Sequence, residues 1–153
     1  MPDSPFASRL RPAPTATKII AAAEERLTDG RTHVTCLRYS RAREQLEAHL
    51  DTLGVRMLLE PGVAMLELER ELEPFGALLR VAIGEDLLYA LPSFIRLERS
   101  PRLPTPDVRA QLRLAEECRR FITSQGLVDD RHLCAVWEVD GALRQVRSAI
   151  RTR

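Results

Sequence analysis

Histidine and cysteine, the residue types best suited to metal binding and nucleophilic catalysis, occur close together at two places in the chain. One pair is His33 and Cys36, and the other is His132 and Cys134. Together they would supply two nitrogen and two sulfur ligands, a set that suits tetrahedral zinc. However, the second pair is spaced more tightly than zinc ligands usually are, and cysteine is often buried without any metal. We therefore predict no metal site, and no Cys–His nucleophile, because neither thiol lies beside a recognisably fixed base.

Motifs of the common enzyme classes are missing from the sequence. It contains no Walker loop, no Gly-x-Gly-x-x-Gly, no Gly-x-Ser-x-Gly and no His-Glu-x-x-His. Paired acids occur at Glu24-Glu25, Glu116-Glu117 and Asp129-Asp130. Adjacent residues on a helix point about 100° apart, so the first two pairs cannot form a catalytic dyad. We interpret all three as solvated or capping residues, and we predict a protein without enzymatic activity or cofactor.

Charge is distributed unevenly along the chain. Of its 23 lysine and arginine residues only one, Lys18, is a lysine, and the formal net charge is +1. Between residues 9 and 43 eight basic residues accompany three acidic ones, whereas between residues 44 and 76 two basic residues accompany eight acidic ones. Arginine suits bidentate contacts with phosphate or carboxylate, although the codons of a GC-rich genome would also favour it. Codon preference does not explain the separation of the basic segment from the acidic one.

Five arginines are candidate contacts for nucleic acid or for an acidic partner: Arg9, Arg11, Arg38, Arg41 and Arg43. The first two lie in a proline-containing segment, residues 1–14, which we predict to be an extended arm. The other three lie at the start of a predicted helix over residues 40–53. In helix-turn-helix proteins the N-terminal residues of the recognition helix contact base edges, while other arginines position phosphates.

Hydrophobic periodicity predicts an α+β fold with four main helices, over residues 15–28, 40–53, 106–125 and 141–151. Short apolar runs separated by turn residues predict an antiparallel sheet between residues 55 and 98. Residues 32–39 fit either a short strand or a short helix. A helix there, followed by helix 40–53 and a hairpin, would give the element order of a winged helix. We therefore expect a tandem winged-helix-like arrangement.

The predicted hairpin over residues 55–68 would be the wing of that fold. Pro61-Gly62 joins its two apolar runs and fits a type II turn. Five glutamates make the wing and its continuation acidic: Glu60, Glu67, Glu69, Glu71 and Glu73. Such a surface would repel DNA, so we predict that it binds a protein. A second copy could pair there by β-augmentation along an exposed strand edge.

Trp137, the only tryptophan, is a further candidate contact residue. An apolar ring with one N–H donor suits the anchor of a protein interface, but a single tryptophan also commonly completes a core.

Three prolines between residues 100 and 106 predict a boundary between a domain over residues 15–99 and a C-terminal helical module over residues 105–153. No segment approaches the roughly 18 apolar residues of a membrane span, and three cysteines are an odd number. We therefore expect no membrane partner and a cytoplasmic location, or a nuclear one in a eukaryote.

The predicted function is a non-enzymatic subunit or adaptor of a larger assembly. It would bind protein partners or further copies of itself through the acidic hairpin, and a nucleic acid or an acidic partner through the arginine-rich N-terminal region. The alternative is a sequence-specific winged-helix DNA-binding transcriptional regulator.

Overall fold

The structure, a computed structural model, describes residues 13–97 and 105–152, and all regular elements within them are helical. Seven α-helices are present in these ranges: α1 Ala16–Thr28, α2 His33–Leu53, α3 Glu60–Leu72, α4 Ala77–Val81, α5 Gly84–Leu97, α6 Thr105–Ser124 and α7 Leu133–Arg151. Short 3-10 turns at Gly54–Met57 and Asp130–His132 lead into α3 and α7.

The predicted α+β fold is wrong, and so is the winged-helix arrangement built on it. Over the residues described, the only β-type contact is an isolated antiparallel bridge between Thr15 and Ile83. Residues 32–39 are helical, apart from the cap Thr32, so the predicted helix over residues 40–53 is the second part of one long helix, α2.

The segment predicted to be a hairpin is instead a 3-10 turn followed by α3. Pro61 lies in the first turn of α3 and Glu60 begins the helix. Proline is favoured there because its fixed φ suits a helix and its missing N–H would have no intrahelical partner. Gly62 is not among the glycines with positive φ, so Pro61-Gly62 starts a helix and does not form the type II turn.

The other predicted strands are α4 and α5. Residues of α5 are buried on several sides: Leu87, Leu88, Ala90, Leu91, Phe94 and Ile95. A helix buried around most of its circumference gives a continuous apolar run, and periodicity alone cannot distinguish that run from a buried strand.

The four predicted helices are all present, as α1, α2, α6 and α7, the second and the last of them longer than expected. Most of the apolar residues that defined their stripes are buried: Ile19, Ile20, Ala23, Ala42, Leu46, Leu50, Leu112, Ala115, Cys118, Ile122, Leu143 and Val146.

Because the core residues of α6 and α7 join those of α1, α2 and α5, both sides of the predicted domain boundary share one hydrophobic core. Most of that boundary segment, residues 98–104, lies outside the described residues. Within the described ranges, no helix has the length and apolar character needed to cross a membrane.

Candidate functional site

Helix α3 lies at the edge of the fold and exposes a row of large apolar side chains. Met65, Leu68 and Leu72 are 55%, 57% and 78% exposed, and we call these three residues the α3 face. Phe75, three residues beyond Leu72, is also exposed. Leu66 is the only α3 residue that is fully buried. Contiguous exposed apolar residues are typical of protein-binding sites, since burying them on a partner is favourable.

The buried carboxylate of Asp86 fixes the start of α3. Asp86 lies in the first turn of α5 and is 1% exposed. It accepts hydrogen bonds from the backbone N–H of Leu59, the residue before α3, at 2.7 Å, and from that of Ile83, the residue before α5, at 2.9 Å. Burial raises the pKa of Asp86, and these two hydrogen bonds oppose the rise. One side chain thus satisfies donors at the beginnings of two helices.

The guanidinium of Arg80 in α4 holds the other end of α3. It donates to the Glu69 carboxylate at 2.8 Å, and to the backbone carbonyls of Glu73 and Phe75 at 2.6 and 2.5 Å. Gly76 follows with φ +69°, which lets the chain turn back into α4. Both ends of α3 are therefore fixed, while no described residue covers its outer face.

Carboxylates flank the α3 face on its solvent side. The helical spacing of about 100° per residue places Glu60, Glu67 and Glu71 along one edge of the face, and we call these three residues the acidic flank. All three are exposed, and no described cation lies within ion-pair distance of them. Of the other two predicted acidic residues, Glu69 and Glu73 both pair with Arg80, Glu73 at the longer distance of 3.9 Å. The glutamates predicted to lie on a hairpin thus lie on α3 and at its C-terminal cap.

The arginines predicted to contact nucleic acid are mostly engaged within the fold where the structure describes them. Arg38 pairs with Asp107 of α6 at 3.2 Å. Arg43 pairs with Glu24 of α1 and with Glu47, each at 2.9 Å, and these hydrogen bonds raise the pKa of Arg43. Arg41 alone of the three is exposed with no described carboxylate within ion-pair distance. Arg9 and Arg11 lie outside the described residues.

Trp137 is 68% exposed on α7, so the interpretation as a core residue is wrong. Its role as an interface anchor stays a prediction.

The structure places two polar side chains, Tyr89 and Glu85, beside the His132–Cys134 pair, and the sequence did not predict this group. The hydroxyl of Tyr89 is 2.9 Å from Nδ1 of His132 and 3.6 Å from Sγ of Cys134. The carboxylate of Glu85 lies 3.6 Å from Nε2 of His132. The hydrogen bond with Cys134 raises the pKa of Tyr89, so its phenol stays protonated over the physiological range. Because α5 brings Tyr89 and Glu85 to the turn before α7, only the tertiary structure could reveal this group.

In the other His–Cys pair, the thiol of Cys36 contacts backbone carbonyls. Sγ of Cys36 is 3.7 Å from the carbonyl oxygen of Thr28 and 3.8 Å from that of Arg31. The described residues include no group of three or more histidine, cysteine and acidic side chains placed to hold a metal ion.

Glu116-Glu117, one of the acid pairs that we interpreted as solvated, forms ion pairs within the fold. Glu117 is nearly buried and pairs with Arg26 at 3.2 Å, and Glu116 binds Arg147 through both oxygens. Asp129 does cap the turn before α7, since its side chain accepts from the backbone N–H of Arg131 at 3.0 Å.

A second charged surface lies between α6 and α7. A cleft of about 290 Å³ is lined by Arg109, Leu112, Arg113, Arg147, Ile150 and Arg151, and we call it the arginine cleft. The two helices run antiparallel, because Arg119 pairs with Asp140 and Glu116 with the later residue Arg147. Arg109, Arg113 and Arg151 are exposed, and no described carboxylate lies within ion-pair distance of them. The sequence did not predict this cluster because its arginines lie on two helices that are far apart along the chain.

Comparison of the chain with protein-family models, with curated proteins and with solved structures gives no match.

Proposed function

We propose that the chain is a non-enzymatic, protein-binding subunit of a larger assembly, and that its α3 face binds a basic, partly apolar helical surface of a protein partner. The observation that carries the proposal is the exposed row of Met65, Leu68 and Leu72 on a helix whose two ends are held by Asp86 and Arg80. A rigid surface loses little conformational entropy when it binds, so its apolar area contributes more fully to affinity.

The spacing of the α3 face supports a helical partner. Leu68 follows Met65 by three residues and Leu72 follows Leu68 by four, as in the apolar seam of a coiled coil. Another helix can pack along such a seam with its side chains between those of α3.

The acidic flank supports a basic partner. Glu60, Glu67 and Glu71 have no described cation within ion-pair distance, so a partner with arginine or lysine beside its apolar residues would complement them. Complementary charge speeds encounter and excludes acidic competitors, including nucleic acid. The proposed compartment is the cytoplasm, or the nucleus in a eukaryote, which suits three cysteines that form no disulfide.

Photo-crosslinking from the α3 face tests the proposal. The full chain carrying p-benzoylphenylalanine in place of Met65 is expressed in its source cells and irradiated, and the crosslinked peptides are sequenced by mass spectrometry. We expect crosslinks to a helical segment in which arginine or lysine flanks apolar residues, and we expect them to disappear when Leu68→Ser and Leu72→Ser are added.

The matched control places the same photoreactive residue at Val34, an exposed apolar position on α2. The proposal fails if the yield from position 65 does not exceed the yield from position 34, or if the crosslinked segments are acidic or lack apolar residues.

A further inference from the structure

The arginine cleft and the α3 face have complementary chemistry. Each combines apolar side chains with one sign of charge: the partly buried Ile150 and the almost fully buried Leu112 lie among arginines in the cleft, whereas the exposed Leu68 and Leu72 lie beside glutamates on α3. Such a match favours association through both charge attraction and apolar burial.

Among the described residues, only Arg147 of the four cleft arginines is paired with a carboxylate. The acidic residues on the adjoining part of α6 are Asp107 and Glu116, and these already pair with Arg38 and Arg147. The pairing with Arg147 lowers the pKa of Glu116, so this carboxylate stays ionised and bound to that guanidinium at neutral pH. The guanidinium groups of the other three cleft arginines have no described carboxylate within ion-pair distance and can attract carboxylates of a partner.

We propose that the arginine cleft binds the α3 face of a second copy of this chain, so that copies associate head to tail. The inference rests on the proposed function, because it names the basic helical surface that α3 binds. The glutamates of the acidic flank would pair with Arg109, Arg113 and Arg151, while Leu68 and Leu72 would pack mainly on the partly buried Ile150.

Charge favours this arrangement over a symmetric one. In a dimer with α3 packed against α3, Glu67 and Glu71 of one copy would face those of the other, and opposed like charges are destabilising. A contact between two different surfaces leaves one copy with an unused cleft and the other with an unused α3 face. Association of this type therefore continues into a ring or an open chain.

The cleft's composition also favours a protein ligand over a polyanion. The partly buried Ile150 offers an apolar contact that a sugar-phosphate backbone cannot use, and the described lining residues include no aromatic ring on which a base could stack.

Sedimentation velocity of the full chain tests the proposal. We expect the mean mass of the wild type to rise above the 17.3 kDa of one chain as its concentration increases to about 100 μM, and to fall when salt is added. Two double variants each remove one surface. In the α3 variant Leu68 and Leu72 are replaced by serine, and in the cleft variant Arg113 and Arg151 are replaced by glutamate.

Each variant alone should stay monomeric, with an association constant reduced roughly tenfold or more. Their equimolar mixture should form a species of two chains and no larger one. The intact cleft of the α3 variant can bind the intact α3 face of the cleft variant, and the remaining surfaces of that pair are both disabled. A symmetric α3–α3 dimer would not be restored by mixing.

Matched controls test whether the loss is specific to these surfaces. Lys18→Glu with Arg31→Glu makes the same change of charge as the cleft variant, at exposed residues that do not line the cleft. Val34→Ser with Leu37→Ser removes two exposed apolar side chains from α2. Both controls should associate like the wild type, and circular dichroism of every variant should show unchanged helix content.

Three results would overturn the inference: a monomeric wild type at all concentrations, a mixture of the two variants that stays monomeric, or association that the cleft variant retains. Binding of a single-stranded oligonucleotide to a monomeric wild type, lost in the cleft variant, would assign the cleft to nucleic acid. In each case crosslinking from position 65 to a basic segment of another protein would still support the proposed function.

Discussion

The carboxylate of Asp86 accepts a hydrogen bond from the backbone N–H of Leu59 at 2.7 Å, across 27 positions of the chain. This contact anchors the first turn of α3 to the first turn of α5. Because α5 lies in the core and α3 at the edge, the buried carboxylate makes the exposed α3 face a fixed part of the fold.

Replacing Asp86 with asparagine should destabilise the protein by about 1–3 kcal/mol, because one of the two N–H groups loses its acceptor and meets an NH₂ group instead. The relief of a buried charge offsets part of this cost. Urea unfolding followed by circular dichroism measures the change. Asp51→Asn, at an exposed position on α2, is the matched control and should be close to neutral. Equal stability of the two variants would show that the buried hydrogen bonds do not stabilise the fold.

Gly76 and Gly141 should respond in opposite directions to alanine. Gly76 has φ +69°, and a Cβ there would lie 3.2 Å from Nη1 of Arg80, so Gly76→Ala should cost about 1–2 kcal/mol. Gly141 lies within α7, and a Cβ there would meet nothing within 4 Å, so Gly141→Ala should stabilise by up to about 1 kcal/mol. Thermal unfolding of both variants under one condition checks the signs. A stabilising Gly76→Ala would contradict the left-handed turn after α3.

The pair of Glu116 and Arg147 should make the packing of α6 on α7 sensitive to acid. Its distances are 3.2 and 2.7 Å, and the guanidinium holds the pKa of Glu116 below its ordinary value. A lowered pKa in the folded state gives stability that is present above the ordinary carboxylate pKa and is lost as the pH falls through the folded value. The pair is partly exposed, so we expect a contribution of about 0.5–1 kcal/mol.

Urea unfolding at pH 7 and at pH 3 tests that contribution. Glu116→Gln should be less stable than the wild type at pH 7, and the difference should shrink at pH 3, because the stability that the ionised carboxylate contributes is lost as the pH falls toward its lowered folded pKa. Glu44→Gln, at an exposed residue on α2 with no described cation within ion-pair distance, should show no such change. A difference that stays constant with pH would rule out the ion pair as its cause.

Cys118 and Cys134 should differ sharply in reactivity. Cys118 is fully buried in α6, and burial raises the pKa of its thiol to about 12, so only about one part in ten thousand is thiolate at pH 8. Cys134 is exposed on α7. Iodoacetamide followed by intact-mass spectrometry should show early labelling that disappears in Cys134→Ser. Cys118 should react only when urea unfolds the chain, and its labelling at the rate of Cys134 in the native protein would contradict the burial of α6.

The sequence by itself determined the helices whose apolar residues recur at helical spacing over a long segment. In α1, α2 and α6 the predicted stripes are buried, because a surface helix must direct such a stripe into the core. The separation of a basic segment, residues 9–43, from an acidic one, residues 44–76, is likewise a property of the sequence alone.

The sequence wrongly predicts strands in the middle of the chain, because a short apolar run does not show whether a sheet or a helix will form and pack there. Residues 63–68 have the length and composition of a strand, yet they lie within α3. Pro61-Gly62 fits a turn and also fits the start of a helix. Asp86 favours the helix by accepting the N–H of Leu59, and neither periodicity nor turn preference reveals a contact between residues so far apart.

Tertiary structure alone decided which charged and apolar residues face solvent. Arg38 and Arg43 looked accessible in sequence but are paired with Asp107 and Glu24, because α2 packs against α6 and α1. Arg113 and Arg151, 38 positions apart, share one cleft because α6 and α7 are antiparallel. The periodicity of a helix defines its faces, but whether a face is buried, paired or open depends on its neighbours in space. The packing of the helices therefore determines that the α3 face is exposed and that the arginine cleft forms.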